Sequence, residues 1–212
     1  MRALVPITLV LAGCGGFDNG PLKVGEVRGR LESSERESAF VAVLGAPTVR
    51  ASVDDEGNFS LAQVETGVRE LLAVGSDDLA ARFEVTVEPA RVLDLGTLAL
   101  ATAGSIEAQA RTPDDHLQLS GGTLSVVGTP WENLATDAEG RARVKGVPRG
   151  CWTVTLALPG LGADSKDVCL NDGQAQRLDF DFPAPDGSEG HEGCRVLGCE
   201  AGYGCDDDGA CR

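Results

Sequence analysis

Val53-Asp54-Asp55-Glu56-Gly57-Asn58-Phe59-Ser60-Leu61 and Thr136-Asp137-Ala138-Glu139-Gly140-Arg141-Ala142-Arg143-Val144 are one phrase written twice, 83 residues apart. Each carries an Asp that starts a turn and a Gly three residues later that takes a positive φ. Apolar residues then return at every second position, Phe59 and Leu61 in one copy, Ala142 and Val144 in the other. That is the period of a strand with one buried face. The phrase therefore predicts a hairpin turn running into a half-buried strand, twice.

The same offset holds without a gap beyond the phrase. It places Val64 on Val147, Gly67 on Gly150, Leu71 on Val154, Val85 on Val168, Val87 on Leu170 and Leu95 on Leu178. A register kept over that length marks an internal repeat. In the second unit Val147-Pro148-Arg149-Gly150 reads as a turn. Trp152, Val154, Leu156 and Leu158 then alternate with Cys151, Thr153, Thr155 and Ala157, which places Trp152 in the core. A turn follows at Pro159-Gly160-Leu161-Gly162, then a strand from Lys166 to Leu170, and a last strand carrying Leu178, Phe180 and Phe182.

This pattern resembles the carboxypeptidase regulatory-like family, whose signature is similar to D-x-x-G-x-F-x-L-x-x-V-x-x-G-x-Y-x-L. The first unit keeps Asp54, Gly57, Phe59, Leu61, Val64 and Gly67, and departs from it at Arg69, where the family has an aromatic. The second keeps Asp137, Gly140, Val147, Pro148, Gly150 and Trp152, with Ala142 where Phe is usual. Collagen-adhesin B-type stalk domains and starch-binding domains share the outline. The resemblance implies an all-β chain of two tandem transthyretin-like β-sandwiches of about seven strands, at residues 22–100 and 101–183. It also implies accessory modules without catalytic residues of their own, which is analogy at the level of fold.

The chain has 212 residues, with 18 Lys and Arg against 33 Asp and Glu, a net charge of −15. Such an acidic chain without a basic run is a poor match for nucleic acid or for anionic lipid headgroups. At the N-terminus Arg2 precedes an apolar run from Ala3 to Ala12. The run is too short to cross a bilayer, which takes ~20 residues, and fits the apolar region of a signal peptide. It ends in Leu11-Ala12-Gly13-Cys14, which resembles the bacterial lipobox. That resemblance implies removal of residues 1–13, lipidation of Cys14, and membrane attachment through a tether at residues 14–21. Gly15 lacks the Asp that retains some lipoproteins at the inner membrane, so the expected address is the outer membrane of the cell envelope.

Seven cysteines divide between the lipid site and six others. Cys151 and Cys169 are equidistant from Gly160, so hairpin register puts them opposite one another. A structural disulfide suits an exported protein, with buried free thiols or a redox pair as the alternatives. The first unit has Val68 and Thr86 at those positions, which confines the bridge to one copy. Residues 184–212 form a linker and a tail carrying Cys194, Cys199, Cys205 and Cys211. That tail has almost no apolar core and folds only if stapled. It resembles a truncated EGF-like module, and its four cysteines allow three pairings.

Ligand-binding and catalytic readings come from few residues. His116 sits in a polar loop, and no nucleophile elbow, zinc-helix motif or phosphate-binding loop occurs. No enzyme activity and no cofactor are expected. Asp206, Asp207 and Asp208 could collect Ca²⁺ but lack the ligand alternation of an EF-hand, and read equally as a solvated acidic turn. His191 with the tail cysteines lacks a Zn²⁺ knuckle spacing. Trp131, after Gly128-Thr129-Pro130, is the one loop aromatic suited to stacking on a sugar. The expected function is a lipid-anchored, non-catalytic accessory, spacer or interaction module with an envelope protein or surface glycan as partner. The alternative is carbohydrate binding on the same fold.

Overall fold

The computed structural model describes residues 23–32, 39–113 and 117–183, all strands, turns and connecting loops. The first unit comprises β1 (Val24–Leu31), β2 (Phe40–Val43), β3 (Ala46–Ser52), β4 (Asn58–Glu65), β5 (Gly67–Ser76), β6 (Leu79–Val87) and β7 (Val92–Leu98). A two-residue strand, β8 (Ala101–Thr102), follows. The second unit comprises β9 (Gly104–Arg111), β10 (Thr123–Val126), β11 (Leu134–Ala135), β12 (Arg141–Val147), β13 (Gly150–Leu158), β14 (Gly162–Leu170) and β15 (Ala175–Asp181).

Each unit is a sandwich of two sheets with the same strand order. Sheet β4-β1-β7 packs on β3-β2-β5-β6-β8, and β12-β9-β15 packs on β11-β10-β13-β14. The pairs β1–β7 and β9–β15 are parallel. The all-β reading and the seven-stranded sandwich are both met, with β8 as an extra edge strand on β6. The first core is built on Val27, Phe59, Leu61, Val64 and Leu71. The second is built on Ile106, Leu124, Val154, Leu156 and Phe180. Each such side chain contributes about 1.5–3 kcal/mol through its removal from water.

The repeat is visible strand by strand. β6 and β14 begin and end 83 residues apart, and so do β7 and β15. The register slips only at the first strands. Gly25 lies opposite Val64 and Gly104 opposite Val147, so these glycines are 79 residues apart. They share one physical requirement. A Cβ on Gly25 would fall 2.6 Å from the Glu88 carbonyl oxygen, and one on Gly104 would fall 2.3 Å from that of Gln174.

Two turn expectations need correction. The Asp54 and Asp137 phrases do not close hairpins. β3 pairs with β2 and β4 with β1, so the chain crosses here from one sheet to the other, and β11 to β12 does the same. Flanking strands in different layers offer these amides no ladder partner, and the carboxylates serve instead. Asp54 Oδ1 accepts the amides of Asn58 (2.7 Å) and Glu56 (3.0 Å). Asp137 Oδ1 accepts those of Arg141 (2.8 Å) and Glu139 (3.0 Å). Gly57 and Gly140 take φ of 89° and 73° as expected. The second correction is in length: β14 begins at Gly162, because Leu158 pairs with Gly162 around a tight turn at Gly160.

Candidate functional site

The site begins with a break in alternation. Leu71-Leu72-Ala73-Val74 is an unbroken apolar run in β5, the signature of a strand covered on both faces. Leu71 and Ala73 face the first core. Leu72 and Val74, with Ala80 of β6, join the core of the second unit instead. Phe40 and Leu44, on or beside β2, pack against the same cluster. The outer face of the first unit's sheet is therefore an inter-unit interface.

One repeat later the equivalent positions are polar or small. Thr155 replaces Leu72, Ala157 replaces Val74 and Ala163 replaces Ala80. This face of the second unit is knitted by Thr155 Oγ1 with Ser165 Oγ (2.8 Å) and by Thr153 Oγ1 donating to Asp167 (2.7 Å). The two units share a backbone and differ in what their outer faces bind.

The second unit reaches the interface with the loop after β10 and with the end of β12. The Gly45 amide donates to the Gly128 carbonyl and the Gly146 amide to the Asp77 carbonyl, both at 2.9 Å. Lys145 Nζ meets Asp77 Oδ2 at 2.7 Å. Gly146 has φ 71°, and a Cβ there would stand 3.0 Å from Val74 Cγ1 and 3.1 Å from the Ser76 carbonyl oxygen. Gly146 lies where the β12–β9 register shifts between Lys145 and Val147, and both its positive φ and the close approach need glycine.

Arg82 ties the two units together. It pairs with Glu70 within the first unit, with Nη2 at 2.7 Å from Oε2. Its guanidinium carbon lies 4.9 Å from the centre of the Trp152 ring, a cation–π contact. Nη1 donates to the Cys151 carbonyl oxygen at 3.3 Å. Trp152 is buried in the core as expected, and its indole donates to Pro148 O at 3.0 Å. A cleft of about 430 Å³ opens here between the units, with Glu70, Arg82, Pro148, Arg149, Gly150 and Asp172 on its walls.

Cys151 and Cys169 are register partners on β13 and β14 and form a disulfide. Both are exposed, on the face opposite Trp152; the alternative of buried free thiols therefore fails. Trp131 is half-buried against the second core, with its ring edge-on to Phe40 of the first unit at 6.3 Å. Cys14, the tail cysteines Cys194, Cys199, Cys205 and Cys211, Asp206, Asp207, Asp208, His116 and His191 all lie outside the described residues. Among the described residues no cluster of three His, Cys, Asp or Glu could hold a metal ion. The inter-unit joint was not expected from the sequence, although the apolar run in β5 signalled it.

No family model matches the chain, and no curated protein matches it either. Solved structures that match this chain include the Bacillus anthracis TIE protein, at 14% identity and a TM-score of 0.34, covering 76% of this chain and 34% of that one. GBS52, the minor pilin of Streptococcus agalactiae, has 11% identity and a TM-score of 0.33, covering 75% and 95%. BcpA, the major pilin subunit of Bacillus cereus, has 12% identity and a TM-score of 0.31, covering 76% and 69%. This chain thus spans about a third of the length of the TIE protein.

Proposed function

We propose that the chain is an exported, lipid-anchored, non-catalytic spacer and interaction module of the cell envelope. The observation that carries this reading is the joint. Leu72, Val74 and Ala80 of the first unit are buried in the second unit's core, at no more than 5% exposure, so the two sandwiches pack as one continuous body. A joint of that kind suits a part that holds a fixed distance, since interfaces between domains that move freely are small and polar. The lipobox-like stretch ending at Cys14 supports the anchor, and Gly15 supports an outer-membrane address. The carboxypeptidase regulatory-like resemblance supports the accessory role. The carbohydrate-binding alternative draws no support from Trp131, which packs on Phe40.

The test is mass spectrometry of the membrane fraction from cells expressing the full chain and its Cys14→Ser variant. The reading requires an acylated N-terminus beginning at Cys14, and loss of membrane attachment in the variant. An unmodified chain of unchanged fractionation refutes the anchor. Robust turnover of a substrate by the purified chain refutes the non-catalytic role.

A further inference from the structure

We propose that the Cys151–Cys169 bridge is a thiol–disulfide exchange site whose redox state sets how firmly the two units are joined. Three observations lead there. The first is access: both cysteines are exposed, on the outer face of the β13–β14 hairpin. Exchange requires in-line approach of a thiolate to sulfur, which a buried bridge forbids.

The second is an internal control. The β5–β6 hairpin of the first unit sets Val68 opposite Thr86 and Gly67 opposite Val87. The second unit sets Cys151 opposite Cys169 and Gly150 opposite Leu170. The same hairpin therefore forms in the same register without sulfur, so register alone does not call for the bridge.

The third is placement. The bridge clamps the open end of the β13–β14 hairpin, where strand pairs fray most readily. In the second unit that end bears the joint. Arg82 of the first unit donates to the Cys151 carbonyl oxygen and lies over Trp152, and a Cβ on Gly150 would stand 3.2 Å from Arg82 Nη1. In the first unit the matching residue, Val68, is 55% exposed. The clamp is present in the copy whose hairpin end carries contacts across the joint.

The reaction consumes one protein or small-molecule dithiol. A thiolate of the dithiol attacks one Sγ of the bridge, forming a mixed disulfide and releasing the other Sγ as a thiolate that takes up a proton. The second thiol, deprotonated, attacks its own partner sulfur in the mixed disulfide and releases the remaining cysteine, which is protonated in turn. The bridge gains two electrons and two protons, and the dithiol becomes a disulfide.

The experiment uses the full chain and dithiothreitol as the probe. The tryptic peptides 150–166 and 167–177 carry one cysteine each and separate this bridge from the tail cysteines. Thiol capture on them, followed against time, should give a reduction rate that doubles when the reductant doubles and does not change in urea below the unfolding transition. Hydrogen exchange at Leu79–Arg82 and Gly146–Trp152 should then be faster in the reduced chain, and equally so in the Cys151→Ser, Cys169→Ser double variant, while Leu71 and Ala73 stay protected. A bridge reduced only as the chain unfolds overturns the proposal, because it is then a structural staple. Unchanged exchange at the joint after full reduction overturns it as well.

Discussion

Phe40 of the first unit and Trp131 of the second meet edge-on, with ring centroids 6.3 Å apart and planes at 75°. Edge-to-face pairs of this kind add about 0.5–1.5 kcal/mol beyond the area they bury. Trp131→Ala should therefore destabilise the chain by about 1–3 kcal/mol. Urea unfolding of both single variants and of the Phe40→Ala, Trp131→Ala pair checks this. Strict additivity in that cycle would mean that the rings do not couple the units.

Leu72 and Thr155 occupy equivalent positions in the repeat but differ in what covers them. Leu72 is fully buried at the joint. Leu72→Ala should cost about 2–5 kcal/mol, as for other buried leucines. Thr155→Ala loses only its hydroxyl contact with Ser165 on the outer face and should cost about 1 kcal/mol or less. Equal losses in parallel unfolding curves would contradict the assignment of the outer face of β5 as an interface.

Gly146 and Gly160 separate backbone strain from crowding. Both have positive φ, at 71° and 80°. A Cβ on Gly146 would press on Val74 and Ser76, whereas one on Gly160 meets nothing within 4 Å. Gly160→Ala should cost about 1–2 kcal/mol from the left-handed backbone alone. Gly146→Ala should cost more, and calorimetry of the two variants gives the difference.

The Asp54 carboxyl is held below its ordinary range, chiefly by the Asn58 amide, which with the Asn58 side chain and the amides of Glu56 and Gly57 outweighs the opposing cost of desolvation. A lowered folded-state pKa gives stability that is fully present above the unfolded value, about 3.9, and is lost as the pH falls through the folded value. Asp54→Asn keeps an acceptor and removes the charge. Its deficit against the parent chain should be constant near neutrality and should shrink as the pH drops below about 4. Chemical unfolding at stepped pH checks the sign, and a deficit that grows in acid would contradict it.

Much of each sandwich was legible because it rests on local rules. Asp54 and Gly57, with Asp137 and Gly140, marked both corners, although the carboxylates cap crossings between sheets rather than hairpins. Symmetry about Gly160 placed Cys151 opposite Cys169. The slip between Gly25 and Gly104 was hidden. Its cause is the connection after the first strand: Gly104 to Thr123 spans 19 positions where Gly25 to Phe40 spans 15, and the 83-residue offset is restored from the second strand on. Thr153 and Thr155 alternate with buried Trp152, Val154 and Leu156, whereas the unbroken run Leu71-Leu72-Ala73-Val74 shows that both faces of β5 are covered without naming what covers the second.

The amino-acid sequence by itself determined the doubled unit, its strand period, its corner residues and the single bridged hairpin, because each depends on spacings along the chain. Only the tertiary structure decided that the two units share a joint, and that Arg82 reaches Cys151 across 69 residues of chain. Apolar periodicity records that a face is buried but not which surface covers it. That choice depends on the shapes of two assembled sandwiches, and on glycines such as Gly146 that let their backbones approach.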